Sequence, residues 1–267
     1  MLHFTKMNGA GNDFVLLDNR DGSLALEKAQ IARLCDRHRG VGADGLLLVE
    51  QPENGADFRM RYYNSDGGEA EMCGNGARCF ARFAQRVSRK TGDVAFETLA
   101  GVITAKFMGD LVQIEMSEPH SFQPATVLDA GGESLTVHSV NTGVPHAVVF
   151  VEDLESVDVR RLGAALRYHP RFAPKGTNAN FVQRIGPNAI AIRTYERGVE
   201  DETLACGTGM VACALILQRE HGATSPVQVK VRGGDTLEIG FEAAGESYRH
   251  VTLTGPADFT FDGQVEV

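Results

Sequence analysis

Residues 71–80 read EMCGNGARCF and residues 204–213 read LACGTGMVAC. Cys-Gly-x-Gly therefore occurs twice, at Cys73 and at Cys206, about half a chain apart. In both copies a strand-like run is followed by an acidic polar loop, and the glycines then open a run with helical apolar spacing. A disulfide pair, a metal site and duplicated catalytic machinery each account for such a repeat, and the surrounding sequence has to decide among them.

Sliding the chain over itself by the Cys73-to-Cys206 offset lays NTGVPHAVVFVED, from Asn141, over NGAGNDFVLLDN, from Asn8. Within one residue of that offset, GTNANFVQR, from Gly176, faces GADGLLLVE, from Gly42, and AIRTYERGVEDETLACGTG faces RMRYYN with its acidic loop and CGNG. Behind each signature come a helical pattern and a β run, DVAFETLAGVITAKF in one half and VQVKVRGGDTLEIGF in the other. Order and spacing are kept although identities are sparse, which reads as an internal duplication; chance likeness among β-rich segments is the competing explanation. No Pro/Gly/Ser linker separates the halves, so two similar domains packed closely about a cleft are expected.

Alternation of apolar and polar residues predicts strands over 58–64, 102–107, 111–116, 189–195, 227–231 and 248–253, among others. Helical spacing predicts helices over 26–37, 76–86, 159–167 and 209–220. The Gly-Asp and Gly-Gly pairs in MGDL and RGGDTL sit where hairpins need turns. The class is α/β (α+β).

The 267 residues are 43% apolar and 23% charged, with no low-complexity tract. That is ample chain for a buried core. A net charge of −9 and the lack of a basic run argue against nucleic acid or an anionic membrane surface as partner. The opening MLHFTKMNGAGNDFVLLDN is too polar for a secretory leader, and the apolar runs LLLV and AVVFV are too short to span a bilayer. Five cysteines, an odd number, suit a reducing cytoplasm better than a disulfide framework.

Glycines at a helix start let the backbone approach a ligand, and the N–H groups of the first turn point outward. Such a turn holds a carboxylate, and its dipole lowers the pKa of a neighbouring thiol from about 8.5. Two such turns across one cleft would place a thiol on either side of a single anionic group. That suits removal of a proton from one face of an amino acid α-carbon and its return to the other face.

Zinc is poorly supported, since no Cys-x-x-Cys pair exists. Cys79 and Cys213 fall inside the helical patterns and read as core fillers. A hydrolase with His146 as base would leave the second thiol unexplained. GVGADG, residues 40–45, satisfies Gly-x-Gly-x-x-Gly, but a helix precedes it and a strand follows, the reverse of a dinucleotide fingerprint. No lysine has an evident Schiff-base setting, so no cofactor and no metal are expected.

The chain resembles the diaminopimelate epimerase family over nearly its whole length. The likeness rests on NGAGNDFVLLD, RHRGVGADGLLLVE, YYNSDGGEAEMCGNGARC, NTGVPHAVVFVED, GTNANFV, YERGVEDETLACGTG and GPADFTFDG, in that order. It implies two similar α/β domains, each a curled sheet or barrel around a central helix, with the active site between them. It places one over residues 1–118 plus 255–267, the last strand returning to the first domain, and the other over 119–254. It further implies cofactor-independent interconversion of LL- and meso-diaminopimelate, serving lysine and peptidoglycan synthesis. A small-molecule substrate and a cytoplasmic homodimer complete the expectation.

Position by position, the resemblance makes Cys73 and Cys206 the acid/base pair. It gives Gly74, Asn75, Gly207 and Thr208 to the reacting carboxylate, and Asn12, Asn64, Asn178, Glu196 and Arg197 to the substrate pocket. His146 and Glu196 match polar groups that tune the thiols. Arg197 suits a two-pronged grip on a distal carboxylate, and asparagines offer donors and acceptors to an end bearing both charges. Each asparagine also reads as a turn or strand-end cap, and His146 as a structural histidine. Gly45 and Val144 depart from members that have glutamine and asparagine there, and the loop RGVEDETLA is longer than in some. The rivals are a proline or hydroxyproline racemase-like enzyme, with a small apolar pocket, and a non-catalytic amino-acid-binding module.

Overall fold

Strand alternation and two long helical runs resolve into two units, Met1–Glu115 with the stretch from Gly255 onward, and Met116–Thr254. The computed structural model describes residues 1–266.

The first unit runs β1 (Leu2–Gly9), β2 (Asn12–Asp18), α1 (Lys28–Cys35), β3 (Gly45–Glu50), β4 (Phe58–Asn64), β5 (Glu69–Ala70), α2 (Gly74–Ser88), β6 (Val94–Thr98), β7 (Gly101–Met108) and β8 (Leu111–Glu115). The second runs β9 (His120–Ala130), β10 (Glu133–Asn141), β11 (Pro145–Phe150), α3 (Val159–Arg167), β12 (Asn178–Gly186), β13 (Ala189–Glu196), β14 (Asp201–Thr203), α4 (Gly207–His221), β15 (Val227–Lys230), β16 (Thr236–Ala244) and β17 (Ser247–Pro256). The final strand, β18 (Asp258–Val265), pairs antiparallel with β1 and so belongs to the first unit.

Both units follow one pairing scheme. In the first, β18, β1 and β2 are antiparallel neighbours, β2 meets β3 in parallel, β4 returns antiparallel, and β6 joins β4 in parallel before the β6–β7–β8 meander. In the second, β9, β10 and β11 are antiparallel, β12 is parallel to β11, β13 returns, and β15 joins β13 in parallel before β16 and β17. Short β5 and β14 sit at matching places on β4 and β13.

Each long helix is wrapped by the strands of its own unit. Helix α2 touches β1, β2, β3, β4, β6 and β8, and α4 touches β10, β11, β12, β13, β15 and β16. Enclosure explains the composition of α4, which buries Met210 to Leu217 without a polar stripe, as a helix apolar all round must. Cys79 and Cys213 are fully buried on these helices, and burial pushes the Cys79 thiol up to about 12, so neither ionises.

The predicted helix over 26–37 is shorter, because Glu27 and Gln30 form a capping box at one end and Asp36 is already extended at the other. Both long helices begin earlier than expected, directly after the cysteines. The MGDL and RGGDTL turns close as hairpins, Met108 opposite Leu111 and Lys230 opposite Thr236. GVGADG leads from α1 into β3, with Gly42 at φ +78, where a Cβ would fall 2.9 Å from Arg37 Cα. Helix then strand is the order, so no phosphate turn forms there.

Candidate active site

Cys73 and Cys206 occupy the same structural position in their units. Each is the residue before a long helix, in extended conformation (φ −136 and −126). The Cys73 carbonyl accepts from Ala77 N at 2.7 Å and the Cys206 carbonyl from Met210 N at 2.9 Å. The N–H groups of Gly74, Asn75 and Gly76, and of Gly207, Thr208 and Gly209, therefore precede the first intrahelical bond and point out of the helix. Cys73 is half-buried and Cys206 is 6% exposed.

Around the start of α2, amides and charges form a connected network. Asn75 donates from Nδ2 to Asn12 Oδ1 at 2.6 Å, and Asn12 donates in turn to Asp44 Oδ2 at 2.9 Å. Arg37 bridges Asp44 and Asp13 at 2.8 and 2.7 Å, and Lys6 reaches Asp13 at 2.8 Å. Burial alone would raise the Asp13 carboxyl, but Arg37 and Lys6 outweigh it and hold the group at about 2. From below, the buried guanidinium of Arg78 donates to Asn75 Oδ1 at 3.0 Å and to the Gly74 carbonyl at 3.3 Å. Asn75 is thereby fixed from both ends.

At the start of α4 the network is built differently. His146 Nε2 lies 2.9 Å from Thr208 Oγ1, and Thr208 Oγ1 lies 3.7 Å from Cys206 Sγ. Asn180 Nδ2 meets His146 Nδ1 at 3.1 Å. His146 is 1% exposed; burial, helped by the positive charge of Arg197, pulls its imidazole down from 6.5 to about 3, so it is neutral. Thr142 Oγ1 donates to the Thr208 carbonyl at 2.9 Å and ties the β10–β11 turn to the helix.

The remaining sequence candidates divide. Asn178 is buried and both ends of its amide are engaged: Nδ2 donates to the Pro145 carbonyl at 3.1 Å, and Oδ1 accepts from Arg197 N at 2.9 Å. Arg197 Nη1 donates to the Lys175 carbonyl at 3.3 Å. Glu196 Oε2 accepts from Thr203 Oγ1 at 2.8 Å, across the β13–β14 hairpin. Asn64 is exposed at the end of β4, where its backbone closes the turn to β5 through Gly67 and Gly68. Gly45 pairs with Asn64, and a Cβ there would fall 2.6 Å from the Tyr63 carbonyl oxygen and 2.7 Å from the Tyr62 ring. A longer residue at position 45 would have to displace that ring. Val144 keeps a backbone role, its carbonyl accepting from Thr142 N at 3.2 Å.

Sequence reasoning missed Asn180, Asp44 and Arg78. For Asn180 the signal was present. In GTNANFV the two asparagines are two residues apart on a strand, so they share a face. Asp44 and Arg78 carried no comparable periodicity. Among the described residues no group of three or more His, Cys, Asp or Glu side chains is arranged to hold a metal ion, and no helix is long and apolar enough to cross a membrane.

The family model described as diaminopimelate epimerase matches residues 4–121 and 138–260. A curated diaminopimelate epimerase of Aquifex aeolicus is 45% identical over 276 residues, spanning 99% of this chain and 98% of that protein. Among solved structures, a PhzF-family phenazine biosynthesis protein of Bacillus anthracis superposes with a TM-score of 0.75 at 15% identity, covering 100% of this chain and 99% of the other. A probable proline racemase of Agrobacterium radiobacter gives 0.72 at 16%, over 100% and 93%. These two structures share the α/β fold with this chain.

Proposed function

The chain belongs to the diaminopimelate epimerase family, and on that footing we propose that it interconverts LL- and meso-diaminopimelate with Cys73 and Cys206 as its two acid/base groups. One cysteine, as thiolate, takes the α-proton. The electron pair left on carbon delocalises into the α-carboxylate, and the other cysteine, as thiol, returns a proton to the opposite face. Each turnover exchanges the states of the two sulfurs, so the reverse reaction needs no further group.

One observation carries this reading: both thiols stand immediately before an enclosed helix whose glycine-opened first turn presents outward N–H groups. Those amides supply fixed donors for charge that grows on the carboxylate as the proton leaves. Gly74, Asn75, Gly207 and Thr208 would hold that carboxylate. Asn12, Asn64, Asn178, Glu196 and Arg197 would serve the distal end of the substrate, and His146 and Glu196 would tune the sulfurs. The reaction uses no cofactor and serves lysine and peptidoglycan precursor synthesis. The odd number of cysteines suits a cytoplasmic enzyme, and a homodimer is the commonest assembly for such a protein.

The test is proton NMR of reduced, metal-free protein with LL-diaminopimelate in deuterium oxide. Deuterium entering one α-position as the meso isomer forms is the expected result. Folded protein that catalyses no exchange would refute the reading and turn attention to proline analogues.

A further inference from the structure

We propose that Asn180 is a positioning residue that locks His146 in its Nε2–H tautomer, so that the Thr208 hydroxyl accepts from the imidazole and donates to the Cys206 sulfur. This rests on the two-thiol reading above, in which Cys206 must exist as a thiolate in half of the cycle.

The hydrogen-bond inventory determines each step. Asn180 is fully buried on β12, and both ends of its side-chain amide are engaged. Oδ1 accepts from Thr194 Oγ1 at 2.9 Å, while Nδ2 donates to the Ala147 carbonyl at 2.9 Å and faces His146 Nδ1 at 3.1 Å. The Ala147 carbonyl sets the orientation, because a flipped amide would turn one oxygen against another. With one Nδ2 hydrogen given to Ala147, the other points at His146 Nδ1. That nitrogen must therefore accept, and the ring proton resides on Nε2.

Nε2–H faces Thr208 Oγ1 at 2.9 Å, which makes the hydroxyl an acceptor there. Its own hydrogen is left to turn toward Cys206 Sγ at 3.7 Å. A hydroxyl polarised in this way favours the thiolate over the thiol. An imidazolium would set two donors face to face at Nδ1, so the same amide also opposes protonation of His146.

Gly209 makes room for the arrangement. A Cβ at that position would lie 2.5 Å from Asn180 Oδ1 and 3.3 Å from Cys206 Sγ. The other unit has no counterpart: at the repeat offset Asp13 stands where His146 does and Asn75 where Thr208 does, and in the matching β2–β3 register, Phe14 opposite Gly45 as Ala147 is opposite Ala179, the place of Asn180 falls to Leu46. The device therefore acts on one thiol and gives the pair unequal proton affinities.

The test reads the imidazole and the sulfur directly, without substrate. Long-range nitrogen–proton NMR of the full-length protein should show His146 as the Nε2–H tautomer at neutral pH. In a Cys73→Ala background, Asn180→Leu should mix the tautomers and slow alkylation of Cys206 by iodoacetamide at pH 7 by about tenfold, one unit of thiol pKa. Thr208→Val should slow it similarly while leaving the tautomer intact, and it provides the test if Asn180→Leu does not fold. An Nδ1–H tautomer, an imidazolium at neutral pH, or alkylation unchanged in the folded variants would overturn the proposal. Loss of the epimerase reading would show instead as absent deuterium exchange with these signatures in place.

Discussion

Nδ2 of Asn180 and Nδ1 of His146 face each other at 3.1 Å, and both residues are buried. At the start of α2 the matching space is filled by carboxylates and cations: Asp13 and Asp44 with Lys6 and Arg37. Two helix starts that look alike in sequence thus have different surroundings, a buried neutral imidazole and amide at one and a cluster of ion pairs at the other. Chemistry that needs one sulfur ionised and one protonated has a use for such inequality.

Removing either sulfur should abolish epimerisation while leaving the fold intact. Cys73→Ala and Cys206→Ala are each expected to lose about 10²–10⁴-fold in kcat, the usual worth of a positioned acid or base. The check is the rate of meso isomer formation from the LL isomer. A variant that keeps wild-type turnover would show that its thiol carries no proton.

The buried imidazole of His146 should make stability depend on pH. Burial first, and the Arg197 charge second, hold it at about 3 against 6.5 in the unfolded chain. Between those values the unfolded chain binds a proton that the folded protein refuses. Stability is therefore full above about pH 6.5 and falls as pH drops toward 3, by at most about 1.4 kcal/mol per pH unit from this group. His146→Gln should flatten that decline between pH 7 and 4.5 in urea midpoints. Parallel declines in the two proteins would show that His146 is not the group responsible.

Asp13 works through the opposite mechanism at lower pH. Despite burial it is held at about 2, below its ordinary 3.8, by Arg37 and Lys6. Its contribution is present above about pH 3.8 and is lost as pH falls through 2. Asp13→Asn leaves the buried Lys6 ammonium short of a partner. It should cost about 2–3 kcal/mol, less than a wholly buried pair because Arg37 is half exposed. Chemical denaturation at pH 7 checks this, and a loss under 0.5 kcal/mol, about the scatter of surface substitutions, would contradict it.

Two glycine substitutions should separate packing from chemistry. In Gly163→Ala the new Cβ would collide with the Cβ of Tyr195 in the core of the second unit, so about 1–3 kcal/mol of stability should go, with turnover per folded molecule kept. In Gly209→Ala the methyl meets Asn180 Oδ1 and Cys206 Sγ, and turnover should fall several-fold more than stability explains. Thermal melts beside kcat distinguish the two, and similar turnover in both variants would count against a special role for the Asn180 contact.

Arg197→Lys should raise KM for diaminopimelate by about tenfold with little change in the melting temperature, because an ammonium cannot replace a two-pronged guanidinium contact. Steady-state kinetics over substrate concentration reads this, and an unchanged KM would remove Arg197 from the substrate's distal end.

Much of this molecule could be read from its sequence. Local periodicity and glycine placement identified both long helices, the MGDL and RGGDTL hairpins and the doubled Cys-Gly-x-Gly starts, since each depends on residues near one another in the chain. The wrapping of each helix by the strands of its unit, the return of β18 to β1 and the settings of the two cysteines depend on partners far apart in sequence. Asn180 comes to His146 only because β11 and β12 run in parallel register, with His146 opposite Asn178. Asp44 comes to Asn12 only because β2 and β3 do the same, Phe14 opposite Gly45. The sequence by itself determined which residues could hold a proton or an anion. Only the tertiary structure decided which of them meet, because hydrogen bonds and desolvation act over a few ångströms of space, whatever the separation along the chain.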